Sequence, residues 1–164
     1  MRAAIAIGVG IVLLGGTIVA PPRPRMLWNA SPSAPVGLYA VEPGVPVNAG
    51  DMVIAQVPAG FRKLAAERHY IPANVPLVKR VAATAGNQVC ALGSDLFLDG
   101  GWLADRRPTD AGGRPMPWWQ GCVRLHRGQL FLLMTGKKAS FDGRYFGVTG
   151  SADIIGKAQL LWPR

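Results

Sequence analysis

The chain has 164 residues, of which 49% are hydrophobic and only 16% charged, and 18 Lys+Arg against 9 Asp+Glu give it a formal charge of +9. That length suits one domain with a short appendage, and that composition excludes a disordered polar chain. Two cysteines and two histidines offer neither a disulfide-stapled mini-protein nor a zinc-ligand spacing, while 21 glycines and 14 prolines favour turns and short strands over a helical bundle.

Residues 3–20 carry no charge and one polar side chain, Thr17. As a helix, about 18 such residues span roughly 27 Å, near the hydrocarbon thickness of a bilayer. Pro21-Pro22 stops the segment. A retained membrane anchor over 1–22 is expected. A cleaved secretory signal is the competing reading, but a cut after Ala20 would put Ile18 three residues upstream and Pro21 just after. Arg2 lies on one side of the segment and Arg23 and Arg25 on the other, so charge does not fix the orientation. No acidic residue precedes Glu42. The collar Pro21–Arg25 therefore suits anionic headgroups, at about 1 kcal/mol per basic residue. The basic residues are scattered, with no long Lys/Arg run, so no nucleic-acid partner is expected.

The remainder, 23–164, reads as β-rich. Strands are expected at 37–41 and 52–57, a helix at 61–69, and a Pro-rich loop from Tyr70 to Pro76. Further strands follow at 77–83, 88–92, 95–98 and 102–104, the last two as a hairpin across Gly100-Gly101. A long loop covers 105–117, a buried strand 129–134, and one or two strands 153–162. The fold class is mainly β, a folded sheet or barrel. No P-loop or dinucleotide fingerprint is present, and neither a metal nor another cofactor is expected. Cys90 and Cys122 are a disulfide candidate if the domain faces an oxidising space, worth on the order of 3–4 kcal/mol by loop entropy; two buried thiols are the alternative.

Three segments carry possible chemistry. In Asn29–Tyr39, Ser31 and Ser33 alternate with Pro32, Ala34 and Pro35 in a loop expected to be rigid and extended. It reads either as a Ser/Pro linker or as a serine that needs an adjacent base. In the strand 77–82, Leu77, Lys79 and Val81 share one face, and Val78, Arg80 and Ala82 the other. At least one cation therefore sits among hydrophobes. A desolvated lysine loses its proton more easily, which arginine cannot do; solubilising edge charges are the plain alternative. In Ser140–Gly147, Asp142 and Arg144 are two apart and share a face if extended, whether as a surface ion pair or as part of a site.

In this order, the three segments and the anchor resemble the type I (S26) signal peptidases, in their conjugative-transfer branch. The match comprises Ser33-Ala34-Pro35 within Asn-x-Ser-x-Ser-x-Pro-x-Gly-Leu-Tyr, then Gly50-Asp51-Met52-Val53, Val78-Lys79-Arg80-Val81 with Gly86-Asn87, and Ser140 to Gly147. The resemblance implies Ser33 as nucleophile and Lys79 as neutral general base. Ser31 and the Ser33 backbone N–H would form the oxyanion hole, Ser140 would orient the amine, and Asp142 and Arg144 would support it. The sequence departs from the ordinary members in having Ala34 rather than Met after the serine, and Gly136-Lys137-Lys138 where they carry Gly-Asp-Asn-Arg.

The resemblance further implies a single-pass protein of the inner (cytoplasmic) membrane, its catalytic domain on the periplasmic side. Its expected partners are a pilin or other preprotein substrate, membrane lipid, and the conjugative transfer apparatus. Trp118-Trp119 are read either as interfacial side chains or as a packed loop. The expected activity is a serine endopeptidase maturing a pilin precursor by hydrolysis or cyclisation. A general leader peptidase and a non-catalytic component of the transfer machinery are the alternatives.

Overall fold

The computed structural model describes residues 24–164, and before them only Arg2, Ile7, Gly8, Ile11, Gly15 and Gly16. The expected anchor thus lies essentially outside the described residues, among which no helix is long and apolar enough to cross a membrane.

The described chain is mainly β. Its strands are β1 (Met26–Asn29), β2 (Gly37–Glu42), β3 (Met52–Ala55), β4 (Leu77–Ala83), β5 (Gln88–Leu92), β6 (Asp95–Leu98), β7 (Gly101–Asp105), β8 (Gly121–Arg124), β9 (Gln129–Leu132), β10 (Thr149–Gly150) and β11 (Ile154–Pro163). Two short helices interrupt them, α1 (Ala59–Glu67) and α2 (Gly143–Phe146). One sheet has seven strands in the order β1-β2-β11-β3-β4-β9-β10, and the other has four, β7-β6-β5-β8. Each adjacent pair is antiparallel.

Strand β2 shows why these residues form strands. Gly37, Tyr39 and Val41 point inward, and the residues between them are half-buried or exposed. At the centre of the larger sheet that alternation disappears, because both faces are covered. Ile54 and Val78 pack with Tyr39 and Val41 on one side, while Val53 and Val81 pack with Leu130 and Leu132 on the other. Strand β11 runs first along β3 and then along β2, with register shifts between Ile154 and Gly156 and between Leu160 and Trp162. Such bulges bend a strand, which lets one strand join two parts of a curled sheet.

Helix α1 starts two residues before its expected position and ends two before. Pro58 precedes its first turn, and His69 has φ 59°, a left-handed conformation that stops the helix. Its apolar side (Phe61, Leu64, Ala65) covers Leu77, Phe141, Tyr145 and Phe146. Arg62 fixes its orientation by donating to Asp153 at 2.6 Å and to the Val57 carbonyl at 2.7 Å. The second sheet packs through Val89, Ala91 and Leu96 onto Phe131 and Leu133. Within it Cys90 and Cys122 face each other on β5 and β8 and are joined as a disulfide.

Candidate active site

Three segments far apart in sequence converge on one point. The first is the connection between β1 and β2. It is not the extended loop expected from its prolines. The Ala34 N–H donates to the Ser31 carbonyl at 3.4 Å, closing a turn with Pro32 at its first central position and Ser33 at its second. Proline favours that first position because its φ is already set. Ala34 is buried beneath the turn and Ser33 faces outward, half-buried.

Asn29, the last residue of β1, holds this turn. Its Oδ1 accepts from the Ser31 N–H at 3.1 Å. Its Nδ2 donates to the carbonyls of Ser31 (3.0 Å), Pro35 (2.9 Å) and, more weakly, Ala34 (3.3 Å). Tyr39 on β2 donates its hydroxyl to the same Pro35 carbonyl at 2.8 Å. No role was assigned to either residue from sequence, although both stand in the quoted motif. The contacts of Asn29 reach only two to six residues, so Asn before Ser-x-Ser-x-Pro was a local turn signal.

The second segment is β4. Lys79 is 1% exposed, whereas its neighbour Arg80 is exposed and donates to the Gly50 carbonyl. Lys79 is thus the cation among hydrophobes, with Leu77, Val78 and Val81 around it on the strand, all buried. Its Nζ lies 2.8 Å from Ser33 Oγ and 2.8 Å from Ser140 Oγ. Burial pushes its pKa down to about 8, and the Arg144 charge adds to that, while Asp142 acts the other way.

The third segment runs from β9 into α2. Ser140 is buried, and so is the Asp142–Arg144 pair. The two do not lie along an extended strand. Asp142 caps α2, accepting from the Arg144 N–H at 3.2 Å, and Arg144 folds back so that its Nε donates to Asp142 Oδ1 at 3.0 Å. Arg144 also donates to the carbonyls of Met134 and Lys137, and Asp142 Oδ2 accepts from the Met134 N–H. The buried charges are therefore paired and hydrogen-bonded, the condition under which such a pair is tolerable. The pair fastens the segment that carries Ser140.

Ser31 lies beside Ser33. Its Oγ is 2.9 Å from Ser33 Oγ and accepts from the Ser33 N–H at 3.3 Å. Ser31, Ser33, Ser140, Asp142 and Arg144 thus lie around Lys79, while the Cys90–Cys122 disulfide belongs to the other sheet. Trp119 is packed, donating to the Gly143 carbonyl at 3.1 Å, and Trp118 lies under the Arg106 guanidinium.

A cleft of about 560 Å³ opens at Ser33 and Lys79, with walls that include Trp28, Ile71, Val75 and Met116. The long loop 105–117 forms one wall. Asp110 in it accepts from the Tyr70 hydroxyl at 2.6 Å and from Arg114 Nε at 2.7 Å, which hold its carboxyl well below the usual carboxylate range. No group of His, Cys, Asp or Glu among the described residues could hold a metal ion. Chemically, a hydroxyl hydrogen-bonded to a desolvated amine is a means of making a serine nucleophilic.

Residues 1–163 match the family described as signal peptidase, peptidase S26. The plasmid transfer protein TraF of Escherichia coli is 32% identical over 162 residues, covering 93% of this chain and 89% of that one. The conjugal transfer protein TraF of Agrobacterium fabrum is 31% identical over 163 residues, covering 93% and 90%. A crystal structure of a signal peptidase I from Enterococcus faecalis aligns with a TM-score of 0.41 at 16% identity, over 69% of this chain and 97% of that chain.

Proposed function

The chain belongs to the signal peptidase S26 family, and we propose that it is a membrane-anchored serine endopeptidase with a Ser33–Lys79 dyad that matures a pilin precursor for conjugative transfer. The peptidase reading comes from the family. The transfer role is carried over from the TraF relatives. The observation that carries the dyad is a lysine amine with almost no solvent contact, 2.8 Å from the hydroxyl of an outward-facing serine.

In the proposed mechanism Lys79 starts neutral. Its single lone pair accepts the Ser33 O–H, and one of its N–H groups donates to Ser140 Oγ. As Ser33 Oγ bonds to the scissile carbonyl carbon, its proton passes to Nζ. The developing oxyanion takes the Ser33 N–H and the Ser31 hydroxyl, which in the free protein engage each other. Each such donor is worth roughly 3–4 kcal/mol in acyl transfer. The Lys79 ammonium then gives its proton to the departing amine as the C–N bond breaks, leaving an ester on Ser33. Water then attacks that ester, its proton passing through Lys79 to Ser33 Oγ as the acyl C–O bond breaks, and a linear product is released with the dyad restored. If the amine of the substrate's own chain attacks instead, the product is cyclic. The substrate would lie extended along the outer edge of β1, which among the described residues has no strand partner on that side.

Residues 1–22 serve as the anchor in this reading, with 23–164 as a periplasmic domain. A row of apolar side chains supports its lying against lipid. Trp28 and Trp162 flank Leu38 in register on one face of the sheet, and they are 53% and 72% exposed. Met26 and Leu161 are exposed nearby, and Arg25 and Arg164 bracket the group. Tryptophan and arginine together suit the headgroup region. Strand β1 begins six residues after Ala20, so the catalytic turn stays close to the bilayer.

Replacing Ser33 or Lys79 by Ala in the full chain should abolish processing of the pilin precursor of the same transfer system, as seen by mass spectrometry of the mature pilin. The same spectrum reads linear against cyclic product by the mass of one water. Processing that persists in both variants would remove the dyad and leave a non-catalytic role.

A further inference from the structure

We infer that Asn29 is a positioning residue of this active site, a side-chain clamp that replaces the backbone pairing the nucleophile turn cannot make. The inference rests on the reading of Ser33 as nucleophile, and adds to it the group that holds Ser33 in place.

The turn is short of backbone donors, because Pro32 and Pro35 have no N–H. Its carbonyls at Ser31, Ala34 and Pro35 nevertheless point inward at one atom, Asn29 Nδ2, at 3.0, 3.3 and 2.9 Å. Asn29 is itself buried, so these are contacts that water does not readily replace. Its orientation is fixed by chemistry: with the amide reversed, Nδ2 would face the Ser31 N–H and Oδ1 would face three carbonyl oxygens. One planar amide thus grips the chain on both sides of Ser33, two residues before it and two after. Tyr39 seconds it at Pro35. The backbone of Asn29 is separately held, in register with Gly37 across β1 and β2. The side chain can therefore be changed without unpairing the strand.

Lys79 is fixed by a different part of the fold, the centre of the large sheet. The clamp consequently governs where Ser33 stands relative to the amine, and leaves the amine's own surroundings alone. A displacement of about 1 Å at a reacting group costs on the order of 100-fold in rate.

The test uses the full chain in proteoliposomes with the pilin precursor as substrate, and compares wild type, Asn29→Ala and Asn29→Asp. The aspartate keeps the volume and the acceptor for the Ser31 N–H but removes both donors. Thermal unfolding of each variant checks that it is folded, and the aspartate stands in should the alanine not be. Expected for both is a fall in kcat of roughly 10- to 100-fold, with KM and the pH midpoint of kcat unchanged. A wild-type kcat in both variants would overturn the inference, as would a rise in KM alone or a moved pH midpoint. Failure of wild type to process the precursor, or processing by Ser33→Ala, would instead overturn the dyad, and this inference with it.

Discussion

A lysine amine shut away from water destabilises the fold for as long as it stays charged, and Lys79 is in that position. Its pKa is about 8 in the folded chain against 10.5 for the ordinary side chain. Between those values the unfolded chain holds a proton that the folded chain has released, so stability rises with pH across that window. Below it both states are protonated and the full cost is present. At about 1.4 kcal/mol per pKa unit, the cost is on the order of 3 kcal/mol. Lys79→Met should therefore be inactive yet more stable than wild type at pH 7, by up to about 3 kcal/mol. The gain should shrink from pH 8 upward and vanish near the ordinary lysine pKa. Denaturant unfolding of the full chain in detergent at pH 7 and pH 10 reads this directly; equal gains at both would contradict it. Asp142 and Arg144 act on this balance in opposite directions, Asp142 the more strongly, and both count for less than burial.

Short elements set the geometry. Helix α2 is a single turn, and what holds it in place is its fit against β9. A Cβ added at Gly143 would lie 2.8 Å from the Leu132 carbonyl and 2.9 Å from the Phe131 ring. Gly143→Ala must push α2 off the sheet, and Ser140, three residues before, moves with it. Activity should fall at least about tenfold, with a stability loss of about 1–3 kcal/mol from overpacking, read by precursor processing and by unfolding of the same sample. An unchanged rate would show that Ser140 does not depend on that contact. The same scale explains what the sequence disclosed. Strands β4, β5 and β6 were legible at their observed bounds because their apolar patterns end at Gly or Pro turns. Strand β1 was not legible: four residues beyond a Pro/Arg collar are too few to show alternation, and their pairing is with β2. Strand β8 was invisible for another reason, since all four of its residues are exposed and carry no apolar pattern. The bend at Ser31–Pro35 was not legible because the prolines alone favour an extended segment, and it is the amide of Asn29 that folds it.

In the whole molecule, the seven-stranded sheet brings together residues 46 and 61 positions apart, Lys79 with Ser33 and Lys79 with Ser140. Such pairings come from strand order, in which β2 and β4 are separated by β11 and β3. No local pattern in the sequence encodes that order, which is why the motif order pointed to the site but its geometry had to come from the fold. The disulfide lies in the four-stranded sheet, none of whose strand residues lines the cleft. The net charge of +9 also resolves into parts at this scale. Several cations are spent in named pairs, among them Arg62 with Asp153, Arg114 with Asp110 and Lys157 with Asp51. Lys79 is set apart from these, because the proposed chemistry needs it uncharged. The pH dependence of kcat/KM for precursor processing by the full chain in lipid tests that most directly. The account predicts a rate that rises with pH through a single step with a midpoint near 8. A rate that stays flat from about two pH units below that midpoint to about one above it, or one that falls across the step, would contradict a neutral Lys79 acting as the base.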